Sequence, residues 1–300
     1  MGKKRGDGFH SIESIFAALA FSDTLRFEIG GSDGKIRLFI NWETPAEEIP
    51  DGKNLILRAI SLYREQTGFD KGLTVRLDKR IPLGAGLGGG SSDAAAALLA
   101  LNLLSGAALP VCRLESIAAA LGSDVPFFLT CGTAFVSGHG EKVEPIKSPE
   151  GLWVVLVKPP FTSDTASAFM LLDSFRAQEQ VEEKSGNPAG IPVGNTAGIK
   201  REVLLEALEG DSEKWPFYND FLPAFLCQEH SESAVKYKSI LKSLQNAGAS
   251  FVGISGSGSC CFGIFCTKVK AEKAAERFRE EGNTIILTFF LAHRTNPVLK

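Results

Sequence analysis

Polar and apolar side chains alternate over residues 24–29 and again over 36–40, so each stretch has one apolar face and is predicted to be a strand. Gly31, Ser32, Asp33 and Gly34 between them read as a turn, and the two strands are expected to pair antiparallel. Residues 12–21 alternate more loosely. Apolar positions three and four apart over 54–64 predict a helix capped by Asn54, and 73–79 return to alternation as a strand. An Ala/Leu run from Ser92 to about Leu104 predicts the most strongly favoured helix of the chain, and residues 114–121 predict another, ended by Gly122. Residues 133–136, followed by a turn at 138–141, predict a hairpin.

From residue 153 onwards the pattern reads as a second domain. Residues 153–159 form an apolar run that predicts a buried strand, and a helix follows that Asp164 or Thr165 can cap. Residues 175–215 are charged and interrupted by Gly186, Asn187 and Pro188 and by Gly190, Ile191 and Pro192, so they read as a mobile insertion. A strand, a glycine turn at Gly256, Ser257 and Gly258, and a second strand fill 250–265. An amphipathic helix over 269–281 and a strand over 284–291 complete an order of β, α, β, β, α, β, which suits a split β-α-β, ferredoxin-like layer.

Chemistry concentrates in residues 82–93: Pro82, Leu83, Gly84, Ala85, Gly86, Leu87, Gly88, Gly89, Gly90, Ser91, Ser92 and Asp93. Five glycines in the seven positions 84–90 cost chain entropy and add no apolar surface, so they are expected to provide bare backbone rather than packing. Ser91, Ser92 and Asp93 are expected to cap the Ala/Leu helix. Its unpaired N–H groups and the positive end of its dipole then make an anion site, with a polyphosphate as the expected occupant. A Walker A loop is excluded, since no lysine precedes Ser91 and Ser92. Gly84, Gly86 and Gly89 satisfy the dinucleotide pattern G-x-G-x-x-G. That pattern, however, starts only after some eighty residues, just behind Pro82, and no acid-ended strand follows at the required distance. A flexible linker is disfavoured too, because strongly patterned sequence abuts the loop.

Other candidates lie outside the loop. Lys79 and Arg80 fit either a place near phosphates or a solvated edge. Asp124 stands where a cap would, but Val125, Pro126, Phe127 and Phe128 around it favour a fixed, partly desolvated carboxylate. Phe9 and His10 read either as a turn that recognises a base, with a ring to stack and an imidazole to hydrogen-bond, or as a surface loop with one packed Phe.

Composition narrows the setting. Three hundred residues with 44% hydrophobic content suffice for one large or two ordinary domains, and a formal charge of −3 gives no reason to expect nucleic acid. No apolar run approaches a membrane span and no leader opens the chain, so a soluble cytoplasmic protein, monomeric or weakly dimeric, is expected. Six cysteines without a C-x-x-C pair read as buried small hydrophobes, and four scattered histidines give no metal cluster.

The spacing of Pro82, Gly86, Leu87, Gly88, Gly89, Gly90, Ser91, Ser92, Asp93, Ala94 and Ala95 resembles the ATP loop of the galactokinase, homoserine kinase, mevalonate kinase and phosphomevalonate kinase (GHMP) superfamily. Residues 5–16 and 122–129 resemble the 4-diphosphocytidyl-2-C-methyl-D-erythritol kinase family of the non-mevalonate isoprenoid pathway. The similarity spans nearly the whole chain except its start and residues 175–215. It implies an α+β, two-domain GHMP-kinase fold: an N-terminal ribosomal-protein-S5-domain-2-like domain over 1–150 that binds ATP, and a C-terminal ferredoxin-like domain over 151–300 on the substrate side. It also implies ATP and Mg²⁺, and phosphoryl transfer to a small molecule carrying cytidine diphosphate.

Carried over residue by residue, the resemblance makes Asp124 the catalytic base and has residues 82–92 grip the triphosphate through main-chain amides, with Ser92 reaching the metal. Asn54 then lies close to the adenine, Phe9 and His10 hold the cytosine, and Thr165 and Phe169 line the cytidine pocket. Gly256, Ser257 and Gly258 shape the site around the phosphates, and Asn219 with Asp220 marks a structural helix start. Family members carry a further strand with a Lys-x-Asn-like segment ahead of this sequence. Neither Lys3 nor Lys4 fits that role, and the expectation is a start assigned downstream of the true one. Two alternatives stay open: a GHMP kinase for another small alcohol, and a truncated nucleotide-binding protein without activity.

Overall fold

The computed structural model describes residues 10–31, 33–43, 49–130, 132–185, 201–228, 230–279 and 282–293. The chain sorts into two compact units, one of Met1–Leu83, Gly88–Ser148 and Leu291–Lys300, the other of Gly84–Leu87 and Pro149–Phe290. In chain order the first unit carries β1 (Ile12–Ala17), β2 (Thr24–Ile29), β3 (Ile36–Trp42), α1 (Leu55–Thr67), β4 (Leu73–Lys79), α2 (Gly89–Leu104), α3 (Val111–Leu121), α4 (Val125–Thr130), β5 (Thr133–Gly138) and β6 (Lys142–Ile146). The second carries β7 (Trp153–Lys158), α5 (Thr165–Ser185), α6 (Arg201–Glu209), α7 (Phe221–Leu226), α8 (Glu232–Asn246), β8 (Phe251–Ile254), β9 (Cys261–Phe265), α9 (Lys268–Phe278) and β10 (Thr284–Phe289).

In the first unit β1, β5 and β6 form one antiparallel sheet, and β5 with β6 is the expected hairpin. The expected pairing of residues 24–29 with 36–40 does not occur, because β4 lies between them. β2 runs antiparallel to β4 and β3 runs parallel to it, with Arg26 and Phe39 both opposite Arg76. A parallel pair needs a long crossover, and α1 supplies it. The short connection that looked like a hairpin turn instead wraps the start of β4: Gly30 N–H donates to Gly72 O (2.7 Å) and Gly72 N–H to Gly31 O (2.8 Å). A Cβ on Gly72 would stand 3.0 Å from Gly31 O and 2.5 Å from Asp33 Oδ1, so a larger residue would have to displace the Asp33 side chain and press on the main chain of this passage.

Asn54 caps α1 as its sequence position suggests, its Oδ1 accepting from Ile56 N–H (2.9 Å) and Leu57 N–H (3.4 Å). α1 buries Ala59, Ile60 and Tyr63 in a core with Ala94, Leu98 and Leu101 of α2 and Leu73, Val75 and Leu77 of β4. Tyr63 is buried with its hydroxyl satisfied, 2.7 Å from Ser105 Oγ and 3.2 Å from Asn102 Oδ1. Alternate residues of β4 face this core, and Lys79 occupies the next core-facing position after Leu77. The chain returns to this unit late: Leu291 N–H donates to Ala18 O (2.9 Å), and Leu291 O accepts from Ser148 Oγ (2.8 Å).

The second unit is built on a four-stranded sheet in the order β10-β7-β9-β8, with antiparallel neighbours throughout. β7 and β8 therefore run parallel with β9 between them, the split β-α-β arrangement that the element order suggests. Asp164 caps α5, accepting from Ser167 N–H at 2.8 Å. The reading of 175–215 as an insertion without regular structure is corrected: α5 continues to Ser185, α6 spans Arg201–Glu209, and a short 3₁₀ turn follows at Ser212–Lys214, while residues 186–200 lie outside the described residues. Ala, Gln, Glu and Lys are strong helix formers, so charge alone does not break a helix there. The cysteine reading also needs correction, because Cys260 and Cys261 are buried but Cys112 and Cys266 are exposed, and Cys131 lies outside the described residues. Among the described residues, no helix is long and apolar enough to cross a membrane.

Leu98 is fully buried where α2 meets the rest of this core. Leu98→Ala is expected to lower the unfolding free energy by about 2–5 kcal/mol, as read from urea denaturation of the whole chain; a change below about 0.5 kcal/mol would contradict this packing.

Candidate functional site

The first residues of the glycine loop, Gly84–Leu87, belong to the second unit and are tied there through their carbonyls. Gly84 O accepts from Ser163 N–H (3.1 Å) and Ser259 N–H (3.3 Å), Ala85 O from Cys260 N–H (3.1 Å), and Gly86 O from Ser255 Oγ (2.8 Å). Gly86 has φ 70°, and a Cβ there would stand 2.1 Å from Ser255 O and 2.6 Å from Gly258 O. The two glycine loops seen in the sequence are thus in contact, main chain against main chain. Thr165 joins them, its Oγ1 3.1 Å from Ser257 Oγ, and Ser163 Oγ donates to Ser257 O at 2.6 Å. Asn219 holds the second loop from its other side, donating to Ile254 O (3.0 Å) and Gly256 O (2.8 Å). Phe169 is engaged edge-on with Phe221, ring centroids 5.0 Å apart.

The rest of the loop belongs to the first unit and opens α2. The helix starts at Gly89 rather than at the serines, its N-cap Gly88 is left-handed (φ 67°), and no side chain caps it. Ser91, Ser92 and Asp93 lie inside the first turns, which corrects the expectation that they cap it. Ser92 Oγ donates back to Gly89 O at 2.8 Å, and Asp93 is buried. The expectation that these glycines do no packing is also corrected. Cβ atoms would stand 2.7 Å from Thr162 Cβ at Gly84, 2.8 Å from Phe128 Cζ at Gly88 and 2.8 Å from Ile81 Cγ2 at Gly89. Gly90 alone among the five has room, with Leu55 Cδ1 the nearest atom at 3.6 Å.

The consequence is a polarised loop. In a trans peptide the C=O and the following N–H point opposite ways, so the anchored carbonyls of Gly84, Ala85 and Gly86 turn the amides of Ala85, Gly86 and Leu87 away from that contact. Among the described residues, no main-chain N–H of residues 84–91 has a hydrogen-bond partner. Eight such donors in sequence, ending at a helix N-terminus, fit an anion with several oxygens.

Asp124 lies at the start of α4, open to solvent yet crowded by protein, and this desolvation raises its carboxyl pKa above the usual aspartate value. His10 is buried at 8% exposure, Pro82 and Leu83 are half-buried, and Phe9 lies outside the described residues. A side-chain cluster that the sequence did not reveal sits under the loop. Lys79, neither solvated nor at an edge, pairs with Asp23 and, at 2.8 Å, with Asp93, all three nearly inaccessible. Desolvation, opposed by the charge of Lys79 and reinforced by that of Asp23, lifts the Asp93 carboxyl to about 7. The period-two pattern of β4 carried the signal, because a lysine two positions beyond Leu77 falls on the core-facing side. Arg80, in contrast, is exposed and pairs with Glu43 at 3.0 Å.

A family model described as the GHMP kinases N terminal domain matches residues 54–132, and one described as GHMP kinases C terminal matches residues 233–284. The chain is 37% identical over 276 residues to a 4-diphosphocytidyl-2-C-methyl-D-erythritol kinase of Thermodesulfovibrio yellowstonii, covering 92% of this chain and 88% of that one. It is 34% identical to the Heliobacterium modesticaldum protein of the same name, covering 93% and 86%. A crystal structure of 4-(cytidine 5'-diphospho)-2C-methyl-D-erythritol kinase superposes with a TM-score of 0.70 at 31% identity, covering 95% of this chain and 93% of that one.

Two glycine substitutions separate packing from ligand access. Gly86→Ala is expected to destabilise the protein by about 2 kcal/mol or more, through the left-handed backbone and the clash with Ser255 O. Gly90→Ala, in open space inside a helix, is expected to stabilise it by about 0.4–1 kcal/mol. Thermal and urea unfolding of both variants check this; destabilisation by Gly90→Ala would contradict the free space seen there.

Proposed function

We infer the function from one premise: the chain belongs to the 4-diphosphocytidyl-2-C-methyl-D-erythritol kinases, a family of GHMP kinases, and is an ATP-dependent small-molecule kinase. We propose that it transfers the γ-phosphoryl group of ATP to a hydroxyl of 4-diphosphocytidyl-2-C-methyl-D-erythritol, in the non-mevalonate route to isoprenoid precursors. The observation that carries this reading is the polarised loop, whose eight unpartnered amides suit a triphosphate bound without a loop lysine.

In the proposed reaction the substrate hydroxyl oxygen attacks the γ-phosphorus, the bond to the ADP oxygen breaks, and the hydroxyl proton passes to Asp124. A carboxyl raised by desolvation is a stronger proton acceptor than an ordinary aspartate. Phosphoryl transfer asks little else of the protein beyond placement and charge neutralisation. Mg²⁺ would supply part of that neutralisation. The Ser92 hydroxyl is the group of the loop that would reach the ion.

In this proposal residues 1–150 bind ATP and residues 151–300 serve the substrate, with Asn54 near the adenine. Phe9 and His10 take the cytosine, Thr165 and Phe169 line the cytidine pocket, and Gly256, Ser257 and Gly258 border the phosphates. The protein works in the cytoplasm as a monomer or weak homodimer. A kinase for another alcohol would not need a face for a base, so competition by CMP but not by mevalonate supports this substrate over that alternative.

Asp124→Asn is expected to cut kcat by about 10²–10⁴-fold while leaving the KM for ATP within about twofold. The parent's kcat should fall in acid with a midpoint above the ordinary aspartate value of 3.8, because desolvation raises this group and its ionised form is the active one. Steady-state kinetics against pH check both, and equal turnover in variant and parent removes Asp124 from the mechanism.

A further inference from the structure

Residues 82–93 contain no lysine, yet one lies directly beneath them. Lys79 is 3% exposed, and its Nζ would be only 3.0 Å from a Cβ on Gly89, so the amine rests against the main chain where α2 begins. Asp23 on one side does not depend on it, since Asp23 Oδ1 also accepts from Arg80 N–H (2.6 Å) and Ile81 N–H (2.8 Å). Among the described residues, no such amide donates to Asp93 on the other side: Lys79 Nζ donates to its carboxylate at 2.8 Å, and the Asp23 carboxyl lies within hydrogen-bond range of it, so Lys79 is the cation that holds both acids. A chain of polar contacts thus runs from the amides behind β4, through Asp23 and Lys79, to Asp93 inside the first turns of α2.

Such a buried cluster is a poor source of stability. Its desolvation cost roughly cancels its attraction, and apolar residues of the same volume would serve the core as well or better. What an apolar replacement would not reproduce is direction, because charge-assisted hydrogen bonds fix the rotation and height of a helix start more narrowly than close packing does. The amides of Gly89, Gly90 and Ser91 are the part of the loop carried by that start.

We propose that Asp93 and Lys79 are positioning residues for the ATP polyphosphate, locking the first turn of α2 to β4 so that the loop amides stand where the phosphate oxygens bind. This rests on the kinase reading above. Asp93→Ala cuts the link while leaving Lys79 paired with Asp23, and Asp93→Asn keeps a side-chain oxygen for Lys79 to donate to. In steady-state assays, Asp93→Ala should raise the KM for ATP about tenfold, leaving the KM for the cytidine-bearing substrate within about twofold, and Asp93→Asn should return the ATP value to within about twofold of the parent. An ATP KM unchanged in Asp93→Ala, or one raised as much in Asp93→Asn, overturns the positioning role. A parent chain that transfers no phosphate from ATP overturns the kinase reading instead, a result that the variants do not affect.

Discussion

Everything proposed for this chain depends on the unequal fate of the two halves of each peptide group in the glycine loop. The carbonyls of Gly84, Ala85 and Gly86 are held by Ser163, Ser255, Ser259 and Cys260, while among the described residues the amides of residues 84–91 have no hydrogen-bond partner. Were the amides satisfied internally, the loop would be a packed turn like any other. Were the carbonyls loose, the peptides could rotate and present oxygen instead of nitrogen to a phosphate. Close main-chain approach fixes the orientation, and that approach tolerates no Cβ at Gly86.

Much of this was legible because local chemistry governs it. The strands and helices with unbroken period, the Asn54 cap and the split β-α-β order all follow from neighbours in sequence. Residues 24–29 and 36–40 misled for the opposite reason. A glycine-rich turn between two alternating stretches carries no sign that a third strand, thirty residues on, will insert between them, held by the fit of Gly72 against Asp33. Residues 175–185 misled because charge was taken as irregularity, although Glu, Gln, Lys and Arg favour helices.

At the proposed phosphate loop, residue types pointed to an anion site but not to why each glycine is needed. Gly84, Gly86, Gly88 and Gly89 answer to side chains and main chain of this protein, and only Gly90 is left without an internal reason. Asp124, proposed as the base, stands among apolar neighbours in the sequence, and desolvation raises its carboxyl above the ordinary aspartate value. Lys79 was ambiguous until its register on β4 was known, because one lysine in an otherwise apolar, core-facing series reads from composition as surface. Both carboxyls are raised by desolvation, Asp124 at an exposed position crowded by protein and Asp93 buried beneath the loop.

The hydrogen bonds of Leu291 with Ala18 and Ser148 tie the first unit to a residue that leaves the ribosome after nearly all of the second has been made. On a nascent chain these two contacts close only after the strands of both sheets of that unit have emerged, so the last step in completing the first unit is a docking of the chain's end against strands already paired.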